Sequence, residues 1–132
     1  MAEPLPNEVR RLIAGPLESM EHLELLLLLA RTEPKSWSAT EAAQELRLDP
    51  AFTERRLRDL AEAGLASETR EHENAPRCFA FHLSGAFSRH DVAQLLDIYN
   101  TRPVTLVRAV YDRRTVVAQS FADAFRVRKE GQ

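Results

Sequence analysis

The sequence predicts a mainly α-helical domain with one small β-hairpin, and three local patterns predict it. Ser38-Ala39-Thr40-Glu41 is a capping box, in which the serine oxygen and the glutamate each satisfy a free backbone N–H at a helix start. Asp49-Pro50 starts a second helix, because aspartate suits the N-cap and proline at the first helical position sacrifices no hydrogen bond. Gly64 closes that helix, and the residues from Ala66 to His82 then read as strand, turn and strand.

The remaining elements follow in order. Asn7 to Ala14 reads as a short helix with Val9, Leu12 and Ile13 on one side, stopped by Gly15-Pro16. A longer helix runs from about Leu17 or Ser19 to Arg31. Its residues Met20, Leu23, Leu26, Leu27 and Ala30 keep helical spacing, and Leu25, Leu28 and Leu29 widen the stripe. A helix apolar on more than one side is expected to be buried on more than one side, as a central helix or against a partner chain. Glu33-Pro34-Lys35-Ser36 is a connector, and Trp37 is a candidate short strand. The capping-box helix ends near Leu46, with Arg47-Leu48-Asp49 as the turn. The helix after it turns Thr53, Leu57, Leu60, Ala61 and Gly64 toward the core. Ser67–Arg70 and Arg77–His82 are the strands, joined by a loop from Glu71 to Pro76. Ser88-Arg89-His90-Asp91 opens a long helix with Val92, Leu95, Leu96, Tyr99, Leu106 and Val110 as its apolar side. Pro103 either kinks this helix or begins a new one. A last helix, from about Arg114 to Lys129, bears Val117, Phe121 and Phe125.

A length of 132 residues fits a single domain with one core, organised as N-terminal helices (1–35), the two-helix and hairpin unit (36–82) and C-terminal helices (83–132). Hydrophobic residues at 44% and charged residues at 29% suit a folded chain. One cysteine, Cys78, has no internal partner, which fits a reducing compartment. Met1-Ala2-Glu3-Pro4 has neither a basic start nor an apolar signal core. The longest apolar run, Leu25 to Ala30, falls far short of the roughly 20 residues of a membrane span, so a soluble cytoplasmic protein is expected.

Charge is unevenly spread. The net charge of −2 divides into −2 over residues 1–35, −3 over 36–82 and +3 over 83–132. The two-helix and hairpin unit is thus the most acidic part, which opposes tight binding to a polyanion.

Two capped helices across a tight turn, followed by a hairpin, make a winged helix-turn-helix, here with N- and C-terminal helical extensions. Such a unit grips DNA through its second helix. The spacing Ala43-x2-Leu46-x-Leu48-Asp49-x7-Leu57-x2-Leu60-x3-Gly64-Leu65 resembles bacterial winged-helix transcription regulators of the MarR-like and ArsR-like kind. The ending Ser120-Phe121-Ala122-Asp123-Ala124-Phe125-Arg126-Val127-Arg128-Lys129 is similar to the tail of small, poorly characterised bacterial winged-helix proteins. The first resemblance implies sequence-specific DNA binding in a transcriptional regulator. It also implies a homodimer built from helices outside the winged unit, with 7–14, 89–112 and 114–129 as the candidates. It implies basic residues at the tip of the wing as well, but this chain has Glu71, His72 and Glu73 there.

For a DNA reader, the candidate contacts are Thr53, Arg55, Arg56 and Arg58 on the second helix, with Ala51 and Phe52 beside them. Lys35, Arg70 and Arg77 are further candidate phosphate contacts. Arginine suits both guanine edges and phosphates. Glu54, Asp59 and Glu62 cancel the helix charge, and i,i+4 pairs such as Glu54–Arg58 and Arg55–Asp59 would make the same face a solvated one. The alternative function is a non-enzymatic adaptor that holds a protein partner with its acidic wing. Val117, Phe121 and Phe125 form an i,i+4 stripe suited either to packing within the domain or to a dimer interface. Arg113, Arg114, Arg126, Arg128 and Lys129 flank it and could complement a helix C-terminus.

No cofactor, metal or catalytic site is expected. Cys78 and His82 share a strand face, but four residues of strand separate their Cα atoms by about 13 Å, too far for one zinc ion. Ser88, His90 and Asp91 are triad residue types, yet near neighbours at a helix start do not converge, and Ser88 suits a helix cap. There is no phosphate-binding glycine motif and no His-Glu-x-x-His.

Overall fold

A computed structural model describes residues 4–114 and 116–118. Its contacts group the chain into two compact units, one spanning Glu21–Val92 and the other formed by the described residues of 1–20 and 93–132. The helix preceding the winged unit is therefore gathered with it, beyond the expected 36–82 boundary.

The order of elements is α1 (Asn7–Ala14), α2 (Met20–Arg31), β1 (Trp37–Ser38), α3 (Ala39–Leu46), α4 (Pro50–Glu62), β2 (Ala66–Thr69), β3 (Cys78–Phe81), α5 (Arg89–Thr101) and α6 (Pro103–Tyr111). The mainly helical winged helix-turn-helix expected from the sequence is what these elements form. Among the described residues no helix is long and apolar enough to cross a membrane.

In the Glu21–Val92 unit, both halves of the Ser38 capping box form. The Glu41 N–H donates to Ser38 Oγ at 3.1 Å, and the Ser38 N–H donates to Glu41 Oε1 at 3.0 Å. The Ser38 N–H donated to the carboxylate, and after it the Ser38 hydroxyl, favour the ionised form and hold Glu41 below the ordinary carboxylate range. A cap of this kind contributes about 1 kcal/mol. Arg47 ends α3 in the left-handed region at φ 57°, which allows the sharp turn into α4. Asp49 then caps α4 by accepting from the Ala51 N–H at 2.8 Å, with Pro50 as the first helical residue.

Thr53, Leu57 and Leu60 form the buried side of α4. Burying each leucine is worth about 1.5–3 kcal/mol. Gly64, at φ +80°, turns the chain from α4 into β2. A Cβ there would lie 2.8 Å from the backbone nitrogen of Gly85, so glycine is required by both conformation and space. The sheet has the order β1-β3-β2 and is antiparallel throughout, pairing Trp37 with Phe79 and Ala66 with Phe81. β2 begins and ends one residue earlier than the sequence suggests and β3 is shorter at both ends, so Arg70 and Arg77 fall just outside the strands.

The leucines from Leu25 to Leu29 are all buried, as their two-sided pattern requires. The end of α2 is tied to β1 by a relay. Trp37 Nε1 donates to Thr32 Oγ1 at 2.8 Å, and Thr32 Oγ1 donates to the Leu28 carbonyl at 2.7 Å. Ser88 and Asp91 make a second reciprocal cap at the start of α5, which accounts for Ser88 without a nucleophilic role.

In the other unit, Pro103 begins a new helix rather than kinking a long one. α5 stops at Thr101 and α6 starts at Pro103, where the missing N–H is harmless. Arg113 closes the end of α1, its guanidinium donating to the carbonyls of Ile13, Ala14 and Gly15 at 2.9–3.1 Å. The expected basic complement of a helix C-terminus is thus supplied across the chain. Residues 113, 114 and 116–118 are helical. Val117 is exposed, while Phe121 and Phe125 lie outside the described residues.

Candidate nucleic-acid interface

The outward face of α4 is dictated by the residues on its inward one. With Thr53, Leu57 and Leu60 buried, the 100° step per residue places Ala51, Arg55, Arg58 and Glu62 on the opposite side, and all four are exposed. The Arg55 side chain makes no hydrogen bond or ion pair with any described residue. Phe52, on the first turn, is 52% exposed despite its size.

Two of the expected contacts on α4 lie away from its outward face. Thr53 is 1% exposed, and its hydroxyl donates to the Asp49 carbonyl at 2.8 Å, so it belongs to the core and touches no ligand. Arg56 projects sideways, where its Nε donates to Glu21 of α2 at 3.2 Å. The expected i,i+4 pairs give way to longer-range partners. Asp59 accepts from Nε2 of His22, a residue only 1% exposed, at 2.8 Å, and Arg58 faces Glu68 of β2. Adjacent residues of α2, Glu21 and His22, therefore pin two side chains of α4 and fix its position.

The hairpin contributes through its own period of two. Ala66 and Phe81 are cross-strand partners with their side chains buried, and Glu68 opposite Phe79 comes next on the same face. Continuing the alternation by one step brings Arg70 and Arg77 onto that face at the open end of the pair. Together with Arg58, Ala61 and Glu62 of α4, and with Glu68 and Thr69, they line an open cleft of about 510 Å³. Glu68 Oε1 lies 3.5 Å from Nε of Arg77 and 3.8 Å from Nε of Arg58, so two guanidiniums address one oxygen atom. Arg70 donates to the Glu73 carbonyl at 2.9 Å, which shapes the loop. The loop tip itself, Glu71-His72-Glu73-Asn74, is exposed.

Lys35 stands apart, with its ammonium 3.8 Å from the centre of the Trp37 ring. Of the sequence-derived candidates, the fold thus gathers Arg58, Arg70 and Arg77, keeps Arg55 beside them on α4, and diverts Thr53, Arg56 and Lys35 to local contacts. Glu68, Glu21 and His22 were not legible as partners. Glu68 could have been found by carrying the strand alternation back from Arg70. Glu21 and His22 gave no signal, because their partners are 35 and 37 residues away. Among the described residues no group of three or more histidine, cysteine, aspartate or glutamate side chains could hold a metal ion.

No protein-family model matches the chain, and no curated protein matches it. Several solved structures are similar to the chain. Lactococcus lactis ZitR, solved as the wild type in complex with DNA, is 18% identical over 85% of this chain and 74% of its own, with a TM-score of 0.45. A cysteine-to-serine mutant of the same protein is 18% identical over 86% of this chain and 75% of its own, with a TM-score of 0.46. A Pseudomonas aeruginosa PA01 protein, described as a candidate transcriptional regulator, is 20% identical over 92% and 82%, with a TM-score of 0.44. Likeness at this level says nothing of what this chain binds, which must be argued from its own side chains.

Proposed function

We propose that this chain is a sequence-specific DNA-binding protein and acts as a transcriptional regulator. The observation that supports this reading is the alignment of Arg55 and Arg58 on the outward face of α4 with Arg70 and Arg77 of the hairpin beside them. A helix of about 10–12 Å diameter fits a major groove of about 12 Å. In that pose Arg55 addresses a guanine edge, and the exposed ring of Phe52 offers an apolar surface to a thymine methyl group. Arg58, Arg70 and Arg77 meet the phosphates that flank the groove. The MarR-like or ArsR-like kind of regulator, a cytoplasmic location and a homodimeric state are parts of the same proposal. Val117 is exposed as a dimer contact requires, and Phe121 and Phe125 are its proposed companions.

The test is binding of the full chain to fluorescent genomic duplexes across a salt titration. The expected result is affinity that falls steeply with salt, as counterion release demands. The double variant Arg55→Ala, Arg58→Ala should weaken binding by roughly 100-fold or more. Binding indifferent to both salt and the double variant would end the proposal.

A second reading, a protein-interaction adaptor, is favoured by the exposed carboxylates of Glu71 and Glu73 at the hairpin tip. Reversal of both to lysine would then abolish capture of a basic partner and leave duplex binding intact.

A further inference from the structure

We propose that the cleft between α4 and the hairpin is a phosphate-binding site in which Glu68 is a built-in competitor for the ligand. Three arginines from three different places in the chain, Arg58 on α4, Arg70 after β2 and Arg77 before β3, line this cleft together with Thr69. Two of them converge on one carboxylate oxygen. The separations of 3.5 and 3.8 Å lie beyond the usual N–H···O range of 2.7–3.2 Å. Neither the Arg58 nor the Arg77 guanidinium makes a hydrogen bond with any described residue. Each guanidinium has five N–H donors, so the donor capacity around Glu68 is almost unused.

The pair is also open to exchange. The side chains of Arg58, Glu68 and Arg77 are 46%, 39% and 30% exposed, and ion pairs so exposed add little to stability. A phosphate brings more acceptor oxygens than a carboxylate and a tetrahedral array of them, matching guanidiniums that approach from different directions. Glu68 opposes the newcomer by like-charge repulsion, and Glu62 lines the same cleft. Glu68 therefore sets a threshold: only a ligand with more charge or more contacts than a single carboxylate displaces it. Two sources share this chemistry, the DNA backbone and a free phosphate or pyrophosphate. The first rests on the DNA-binding reading above, and the second does not.

The experiment titrates the full chain with inorganic phosphate and with pyrophosphate at constant ionic strength, set with sodium chloride. Arginine Nε–Hε resonances are followed in the wild type, Glu68→Gln and Arg77→Gln. Binding of a fluorescent duplex is measured in parallel, with and without pyrophosphate. The expected result is a shift of the Arg58 and Arg77 signals. Removing one like charge at the site should tighten phosphate and duplex binding about five- to tenfold in Glu68→Gln. Arg77→Gln, with an unchanged melting temperature, should lose the phosphate response. Pyrophosphate that displaces the duplex identifies the backbone as one source. Phosphate binding without any duplex binding supports the site and removes the DNA reading. Duplex binding with silent arginine signals and no effect of Glu68→Gln overturns the site and leaves the DNA reading standing. Silence in both arms overturns both.

Discussion

Two parts of the hairpin, only a few residues apart, present opposite charge. At its base, Arg70 and Arg77 join Arg58 of α4 around a shared cleft. At its tip, Glu71 and Glu73 stand in solvent with His72 between them. Summed along the chain, residues 36–82 carry −3, which argues against a polyanion partner. The fold undoes that average. It turns Arg55 outward, draws Asp59 toward His22, and leaves the tip carboxylates in solvent. A ligand responds to the surface it meets within a Debye length of roughly 8–10 Å, not to a total taken over sequence.

The largest expected effect is at the cationic end. Arg55→Ala with Arg58→Ala should weaken duplex binding by roughly 100-fold or more, since a good arginine contact is worth about 1–3 kcal/mol. Fluorescence anisotropy at fixed salt reads this directly, and a change below threefold would erase the contrast between base and tip. Next in size is Gly64→Ala. Its Cβ would sit 2.8 Å from Gly85 N at φ +80°, and the strain should cost about 1–3 kcal/mol, visible as a lower melting temperature. Because Gly64 sets the turn that brings α4 to β2, weakened anion binding should accompany the loss.

A smaller effect separates Arg56 from its neighbours. Arg56→Ala should leave duplex affinity within about threefold of wild type, because its guanidinium already faces Glu21 and a part-exposed pair contributes at most about 1 kcal/mol. A loss as large as that of Arg55→Ala would mean that Glu21 releases Arg56 to the ligand. Phe52 gives a chemically finer test. Replacing thymine by uracil in a bound site should cost a few-fold in the wild type and nothing in Phe52→Ala, given the roughly 1 kcal/mol scale of a single methyl contact. Equal sensitivity in both proteins would place the ring outside the groove.

The smallest effect is a pH dependence at the α3 cap. The folded value of Glu41 is depressed by the Ser38 N–H and hydroxyl. Its stabilising contribution is therefore present above the ordinary carboxylate range and lost as pH falls through the depressed folded value. Thermal melts of the wild type and Glu41→Gln should differ at neutral pH and converge in acid. A gap that stays constant with pH would show that the cap does not depend on the carboxylate charge.

How much could be read in advance depended on how far apart the interacting residues lie in the chain. The capping box at Ser38, the cap at Asp49 and the stop at Gly64 were all readable, because each joins neighbours a few residues apart. The inward face of α4 was equally readable, and it already implied that Thr53 could not reach a ligand. Strand ends were less so, since Arg70 and Arg77 continue the alternation without continuing the ladder.

Local backbone chemistry and hydrophobic period, written in the order of residues, were enough to dictate this scaffold of capped helices and a hairpin. Which charges remain available on it was decided only in three dimensions. Arg56 with Glu21, Asp59 with His22, and Glu68 between Arg58 and Arg77 are pairs whose members meet after packing. Coulomb attraction depends on distance through space, and distance along the chain carries almost no information about it once contacts span more than a turn or two of helix.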